Sequence, residues 1–206
     1  MSGFLDPISP FKNKEKTMYL AYLPPVQHLA ELLSGSVLLE QHETFQKQTL
    51  RNRCLIDSPN GPLALTVPVE KGANGANIRQ VRISSHGNWQ HQHWQALVST
   101  YQNSPYFEFY ADDFRPLYEQ TPALLFDFNL QLLQTIVRLM DLDIDLRLTE
   151  TFGQAPEGAP AAAFTPVPYY QVFAQKHGFQ PNLSAVDLLF NMGPESVLVL
   201  QKCLGR

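Results

Sequence analysis

The chain has 206 residues, a formal net charge of -4, 44% hydrophobic and 17% charged residues. That length suits one globular domain with a real core, and the composition excludes a disordered chain. The acidic balance argues against general nucleic-acid binding, which draws most of its affinity from phosphate neutralisation. Two distant cysteines, Cys54 and Cys203, predict a reduced, cytoplasmic protein without a disulfide framework. The opening residues lack a signal-peptide core, and no run approaches the ~20 apolar residues of a membrane span.

Residues 1–16 are read as a loose tail, with Pro7, Pro10 and a cluster of lysines. Met18–Leu23 is a short apolar run that predicts a buried strand, ended by Pro24-Pro25. Pro25 is placed to open a helix over VQHLAELL, stopped at Gly35, and SVLLE (36–40) predicts a second strand. The opening is therefore expected to be a βαβ unit. Asn60-Gly61 between two apolar runs predicts a hairpin. NIRQVRISS (77–85) alternates as a strand with one polar face would.

Asn88 is expected to cap a helix with Trp94, Leu97, Val98 and Tyr101 as its stripe. One or two short helices interrupted at Pro116 are expected next. Thr121-Pro122 should open a long helix to about Met140, buried along Leu125, Phe128, Leu132, Ile136 and Leu139. DLDIDLRLT (141–149) alternates strictly and predicts a strand with its aspartates on an outer face. Residues 153–168 read as a Pro/Ala linker, followed by helices stopped at Gly178 and Gly193 and a closing helix or strand. The expected fold is α/β: a single domain over residues 17–206 with a mixed sheet, covering helices and a docked C-terminal helical extension.

Lys47, Arg51 and Arg53 crowd into FQKQTLRNRC (45–54). Were the segment extended, Lys47, Thr49, Arg51 and Arg53 would share one face. Three cations on one face need a counterion: carboxylates of the fold, or a bound phosphate or carboxylate matched by the planar guanidinium. His42, beside Glu43, and His93, one turn after Trp89, are the candidates for proton transfer. His91 and His93 are spaced wrongly to share a metal, the loop EKGANGANI is not a phosphate-binding loop, and the residues name neither metal nor cofactor.

An ordered series of motifs then resembles the WbqC-like family. It runs through Y-L-P-P (22–25), F-Q-K-x-x-x-x-N-R (45–53), L-T-V-P-V (65–69), I-x-x-V-x-I (78–83), Trp89, His93 and Y-x-x-S-P-Y-F (101–107). The later P-Y-Y-Q-V-F and N-L-S-x-x-D-L-L-F-N-x-G-P-E-S resemble the branch of that family found in Bacteroidetes. Where many members carry a His-Gln-Pro triplet, this chain has Leu20-Ala21-Tyr22-Leu23-Pro24. Any chemistry that triplet performs is thus either absent here or supplied by His42.

The resemblance implies a part in modifying sugar nucleotides or glycans for surface polysaccharides. The leading expectation is a transferase acting on an activated sugar, amino sugar or acyl donor. Gln46, Lys47, Arg51, Asn52, Arg53, Trp89 and Tyr101 are the expected ligand-binding residues, with His42 and His93 as acid–base groups. The expected partner is a small anionic ligand such as a nucleotide sugar or acyl donor, not nucleic acid; the oligomeric state is left open. The competing expectation is a protein that binds through the same cationic face without catalysis.

Overall fold

The computed structural model describes residues 16–33, 36–120, 123–153 and 164–205. The expected βαβ opening is present as β1 (Lys16–Tyr19), α1 (Val26–Leu32) and β2 (Val37–Glu40), with β1 parallel to β2, but β1 starts two residues before the expected Met18 and ends at Tyr19 instead of Leu23. The Y-L-P-P motif turns the chain between β1 and α1. Leu23, fully buried, takes the left-handed region at φ 39°, costly for a branched side chain, and Pro25 stands just before the first helical residue. Strand β5 (Leu146–Leu148) adds in parallel to the other edge of β2.

A separate antiparallel pair, β3 (Arg53–Ile56) and β4 (Leu63–Thr66), forms the hairpin around Asn60-Gly61. Gly61 takes φ 97°, which the turn demands and only glycine adopts freely. The fold is α/β with strands of both orientations, divided between a three-stranded parallel sheet and this hairpin.

Helices α2 (Trp89–Tyr101), α3 (Phe107–Glu119) and α4 (Leu125–Leu139) supply the next layer. Leu125, Phe128, Leu132 and Ile136 are buried along α4, and Leu139 is half-buried. Pro116 lies inside α3 without ending it, on an exposed face of the helix, where it removes one backbone donor. On α2 the buried stripe is Trp89, His93, Leu97, Thr100 and Tyr101, rotated from the expected one so that Trp94 and Val98 are half-buried.

Two expected strands are corrected. Residues 77–85 form a 3₁₀ turn at Ile78–Gln80, because the Asn77 side chain accepts from the Arg79 N–H at 2.9 Å and starts a helical turn. Only single bridges follow, Val69 with Ile83 and Arg82 with Leu124. The 141–149 alternation yields a strand of three residues; Asp141 is left-handed at φ 51° and closes α4 instead. Asp141, Asp143 and Asp145 are exposed as expected, whereas Thr149 is buried and donates to Glu40 Oε1 at 3.1 Å.

The C-terminal segment carries α5 (Ala174–His177), α6 (Ala185–Met192) and α7 (Ser196–Cys203). It docks by backbone pairing: Val26 N–H donates to the Leu183 carbonyl at 2.9 Å, Ala185 N–H to Pro24 at 2.7 Å, and Ser184 N–H to Leu55 at 2.7 Å. Most of the expected tail and linker, residues 1–15 and 154–163, lies outside the described residues; Lys16 belongs to β1. Among the described residues no helix is long and apolar enough to cross a membrane.

Candidate functional site

The segment from Gln46 to Arg53 is a double turn, not a strand, so its cations do not share a face. Phe45, fully buried, anchors it from below: its N–H donates to the Ala76 carbonyl at 2.8 Å and its carbonyl accepts from Gly75 N–H at 2.8 Å. Gln48 then turns through φ 60°. Thr49 knots the turn, its hydroxyl donating to the Gln46 carbonyl at 2.8 Å and its carbonyl accepting from Asn52 and Arg53 N–H at 3.2 and 3.0 Å. The loop is tied to the β1–α1 turn where Tyr22 N–H donates to the Leu50 carbonyl at 2.8 Å.

This folding separates the cations. Arg51 turns inward and is 4% exposed. Its Nε donates to Glu43 Oε1 at 2.9 Å while its second donor meets Glu43 Oε2, a bidentate pair. Its guanidinium also lies over the Tyr19 ring, 4.8 Å from the centroid. Arg53 turns outward on β3 and is exposed. Among the described residues every arginine but Arg53 is in an ion pair: Arg51, Arg79, Arg82, Arg115, Arg138 and Arg147 each have a carboxylate. Lys47 is exposed, with its backbone N–H held by Asn74 Oδ1 at 3.1 Å.

An open groove of about 480 Å³ lies beside the double turn, lined by Gln46, Gln48, Thr49, Arg51, Arg53 and Tyr19 among others. Tyr19 is the last residue of β1, so the groove sits at the carboxyl end of a parallel strand, the usual ligand position in open α/β sheets. Gln46, Arg51 and Arg53 thus come together. Tyr19 and Gln48 were missed by sequence reasoning, and Thr49 was noted only for its place on the expected strand face; Tyr19 carries no local signal, because it reaches the loop only through the sheet.

The other expected site residues lie elsewhere. Asn52 is buried and clamps the hairpin base, its Nδ2 donating to the Val67 carbonyl at 3.1 Å and its carbonyl accepting Val67 N–H at 2.8 Å. His42 is half-buried, with Nε2 3.2 Å from the Thr149 carbonyl and its N–H bonded to Glu40. His93 is a core residue: Nδ1 is 2.8 Å from the Tyr22 hydroxyl, which is 3.0 Å from that of Tyr118. Burial lowers its pKa to about 4, so the ring is neutral. Trp89 packs edge-on against His93 and Phe128. Tyr101 is buried beside Asp187, its hydroxyl accepting from Asp57 N–H at 3.3 Å, and burial pushes its pKa up. Cys54 touches the groove but is 2% exposed, and burial holds it as a thiol. Among the described residues no group of three His, Cys, Asp or Glu could hold a metal ion.

The C-terminal motifs build structure. Tyr169 OH and Gln171 Nε2 donate to Asp187 Oδ2 at 2.7 and 2.9 Å, and Ser184 caps α6. His177 Nε2 is 3.2 Å from Asp57 Oδ1, joining the extension to the hairpin.

Comparison with known proteins agrees with the motif series. The uncharacterised protein Rv1507c of Mycobacterium tuberculosis is 26% identical over 196 residues, covering 77% of this chain and 84% of that protein. No solved structure matches the chain. The family model described as the WbqC-like protein family matches residues 21–162, which include the Y-L-P-P turn, the double turn with its groove arginines, and helix α2. The chain belongs to the WbqC-like protein family.

Proposed function

We propose that the groove recognises a small molecule bearing a phosphate or carboxylate, and that the protein acts as a transferase on an activated sugar, amino sugar or acyl donor used in surface-polysaccharide assembly. The recognition rests on one observation. Arg53, alone among the described arginines, has no carboxylate partner, and it borders a groove furnished with the amides of Gln46 and Gln48 and the hydroxyl of Thr49. A planar guanidinium beside neutral donors matches a tetrahedral or planar oxyanion. Lys47, exposed on the same turn, adds attraction at longer range. The transferase reading is supported by family membership and by the motif series, whose C-terminal part we assign to the Bacteroidetes branch. Two unpaired thiols and activated donors of this kind favour the cytoplasm.

Binding without turnover is the second reading, and the groove lining favours it. Neither His42 nor His93 lines the groove, and the Cys54 thiol that does is buried.

The test is isothermal titration with inorganic phosphate, nucleotide sugars and acyl-CoA compounds, comparing wild type with Arg53→Ala. At least a tenfold loss of affinity in the variant, at unchanged melting temperature, is expected. Binding that ignores Arg53 would overturn the site. A ligand that binds but is never converted, alone or with acceptor amines and alcohols, would leave recognition standing and remove the transferase.

A further inference from the structure

Behind the groove lies a second cavity of about 180 Å³, between β1, α1 and the docked C-terminal segment. The two hollows share Tyr19 and Leu50 among their lining residues, so they are adjacent. None of the residues expected to bind ligand lines the inner one. Its size is telling: an apolar cavity of ~150 Å³ holds a benzene ring. The volume is in the range of a single six-membered ring.

The lining specifies the kind of ring. Lys16 and Glu31 form an ion pair with each other, so their charges cancel. His28 is 6% exposed, and burial lowers its pKa to about 4, leaving a neutral imidazole that hydrogen-bonds the Tyr19 backbone. The Gln27 amide is held only loosely, by bonds of 3.4 Å to Glu31 and to Asn182, which ligand hydroxyls of better geometry can replace. The wall is therefore rich in neutral donors and acceptors without net charge. Met18 and Leu50 add an apolar surface.

Tyr19 decides against a stacked aromatic base. Its ring already carries the Arg51 guanidinium at 4.8 Å and the His28 imidazole at 4.8 Å, so it is no bare stacking platform. Mixed polar groups over an aliphatic floor, without a stacking face, describe a site for a polyhydroxylated ring.

We infer that the inner cavity is a subsite for an uncharged, hydroxyl-bearing six-membered ring joined to the anion held in the groove. This rests on the anion site proposed above, and it places the ring under Gln27, His28 and Asn182 with the anion toward Arg53.

Isothermal titration with inorganic phosphate, glucose 1-phosphate and uridine monophosphate tests it, using wild type and Gln27→Trp. The Gln27 backbone N–H donates to Asn182 Oδ1 at 2.8 Å, so the docking of the C-terminal segment survives a change of side chain. Glucose 1-phosphate is expected to bind at least tenfold tighter than phosphate, and uridine monophosphate to show no such gain. Gln27→Trp, which fills the cavity mouth, should erase the gain and leave phosphate affinity within twofold. If the bulky variant is misfolded by circular dichroism, Gln27→Leu removes the amide without added volume and should cost most of the gain. Equal affinity for phosphate and glucose 1-phosphate, or a gain untouched by Gln27, overturns the subsite while the anion site stands. Failure of phosphate and of both esters to bind overturns the anion site, and the subsite with it.

Discussion

Arg51 and Arg53 are two residues apart, one buried in an ion pair and the other exposed, and substitution separates a structural part for Arg51 from the ligand contact proposed for Arg53. Arg51 and Glu43 have side chains only 5% and 8% exposed. Arg51→Ala leaves the Glu43 carboxylate buried without its counterion, and breaking such a pair from one side costs about 3–5 kcal/mol. The guanidinium over Tyr19 adds ~0.5–2 kcal/mol. For a chain of this length each kcal/mol lowers the melting temperature by roughly 2–4 °C. Arg51→Ala should therefore melt about 6–20 °C below wild type by calorimetry, the pair term alone being counted.

The double variant Arg51→Met/Glu43→Leu removes both charges and should recover most of that loss, because no orphaned ion remains. Arg53→Ala, exposed and unpaired among the described residues, should stay within ~2 °C of wild type while losing anion affinity. If Arg51→Ala melts with wild type, or the double variant is no better than the single, Arg51 is not scaffold and the division of labour is wrong.

Gly193→Ala is expected to destabilise by more than ~1 kcal/mol in urea unfolding, since φ is +53° and the new Cβ would stand 2.5 Å from the Tyr106 ring. His93 titrates near 4 in the fold against ~6.5 unfolded, so its stabilising effect is full above pH 6.5 and is lost as pH falls toward 4, by up to ~3 kcal/mol. Melting temperature measured from pH 7 to 4 should fall less steeply in His93→Gln, whose amide can still meet the Tyr22 hydroxyl. Asp187 has the opposite sign: burial raises its pKa to about 6 from ~3.9, so stability present below pH 4 is lost as pH rises to 6. Asp187→Asn should gain on wild type across that window and level off above it; a constant difference would show that Asp187 does not titrate there.

The βαβ opening, the hairpin and the principal helices were legible because local chemistry marks them: Pro25 before α1, Asn60-Gly61 in the turn, the apolar stripe of α4. The double turn was misread because Lys47, Thr49, Arg51 and Arg53 alternate as a strand would, while what bends the chain is non-local: the Phe45 anchor on residues 75–76 and the Leu50 tie to Tyr22. The burial of Arg51 had a partial signal in Glu43, eight residues earlier. Its aromatic partner Tyr19 had none. The burial of His93 was not legible for a related reason, since an imidazole on an apolar stripe is acceptable once a distant tyrosine hydroxyl satisfies it.

Residues outside the family match complete the candidate site. The match ends at residue 162, yet Asn182 lines the inner cavity and accepts from the Gln27 N–H at the start of α1. Three backbone bonds at residues 183–185 fix that loop between the start of α1, just past the turn that follows Tyr19, and β3, which carries Arg53. Apart from Tyr19, the groove is lined from within the matched span, whereas Asn182 brings the C-terminal segment into the lining of the inner cavity. If the proposed anion site holds, a relative that keeps the double turn but ends its chain differently should still bind the anion and present a different inner wall. On the proposed reading, Arg53 and its loop would recognise the anion, and the docked segment, through Asn182, would help select what the anion is attached to.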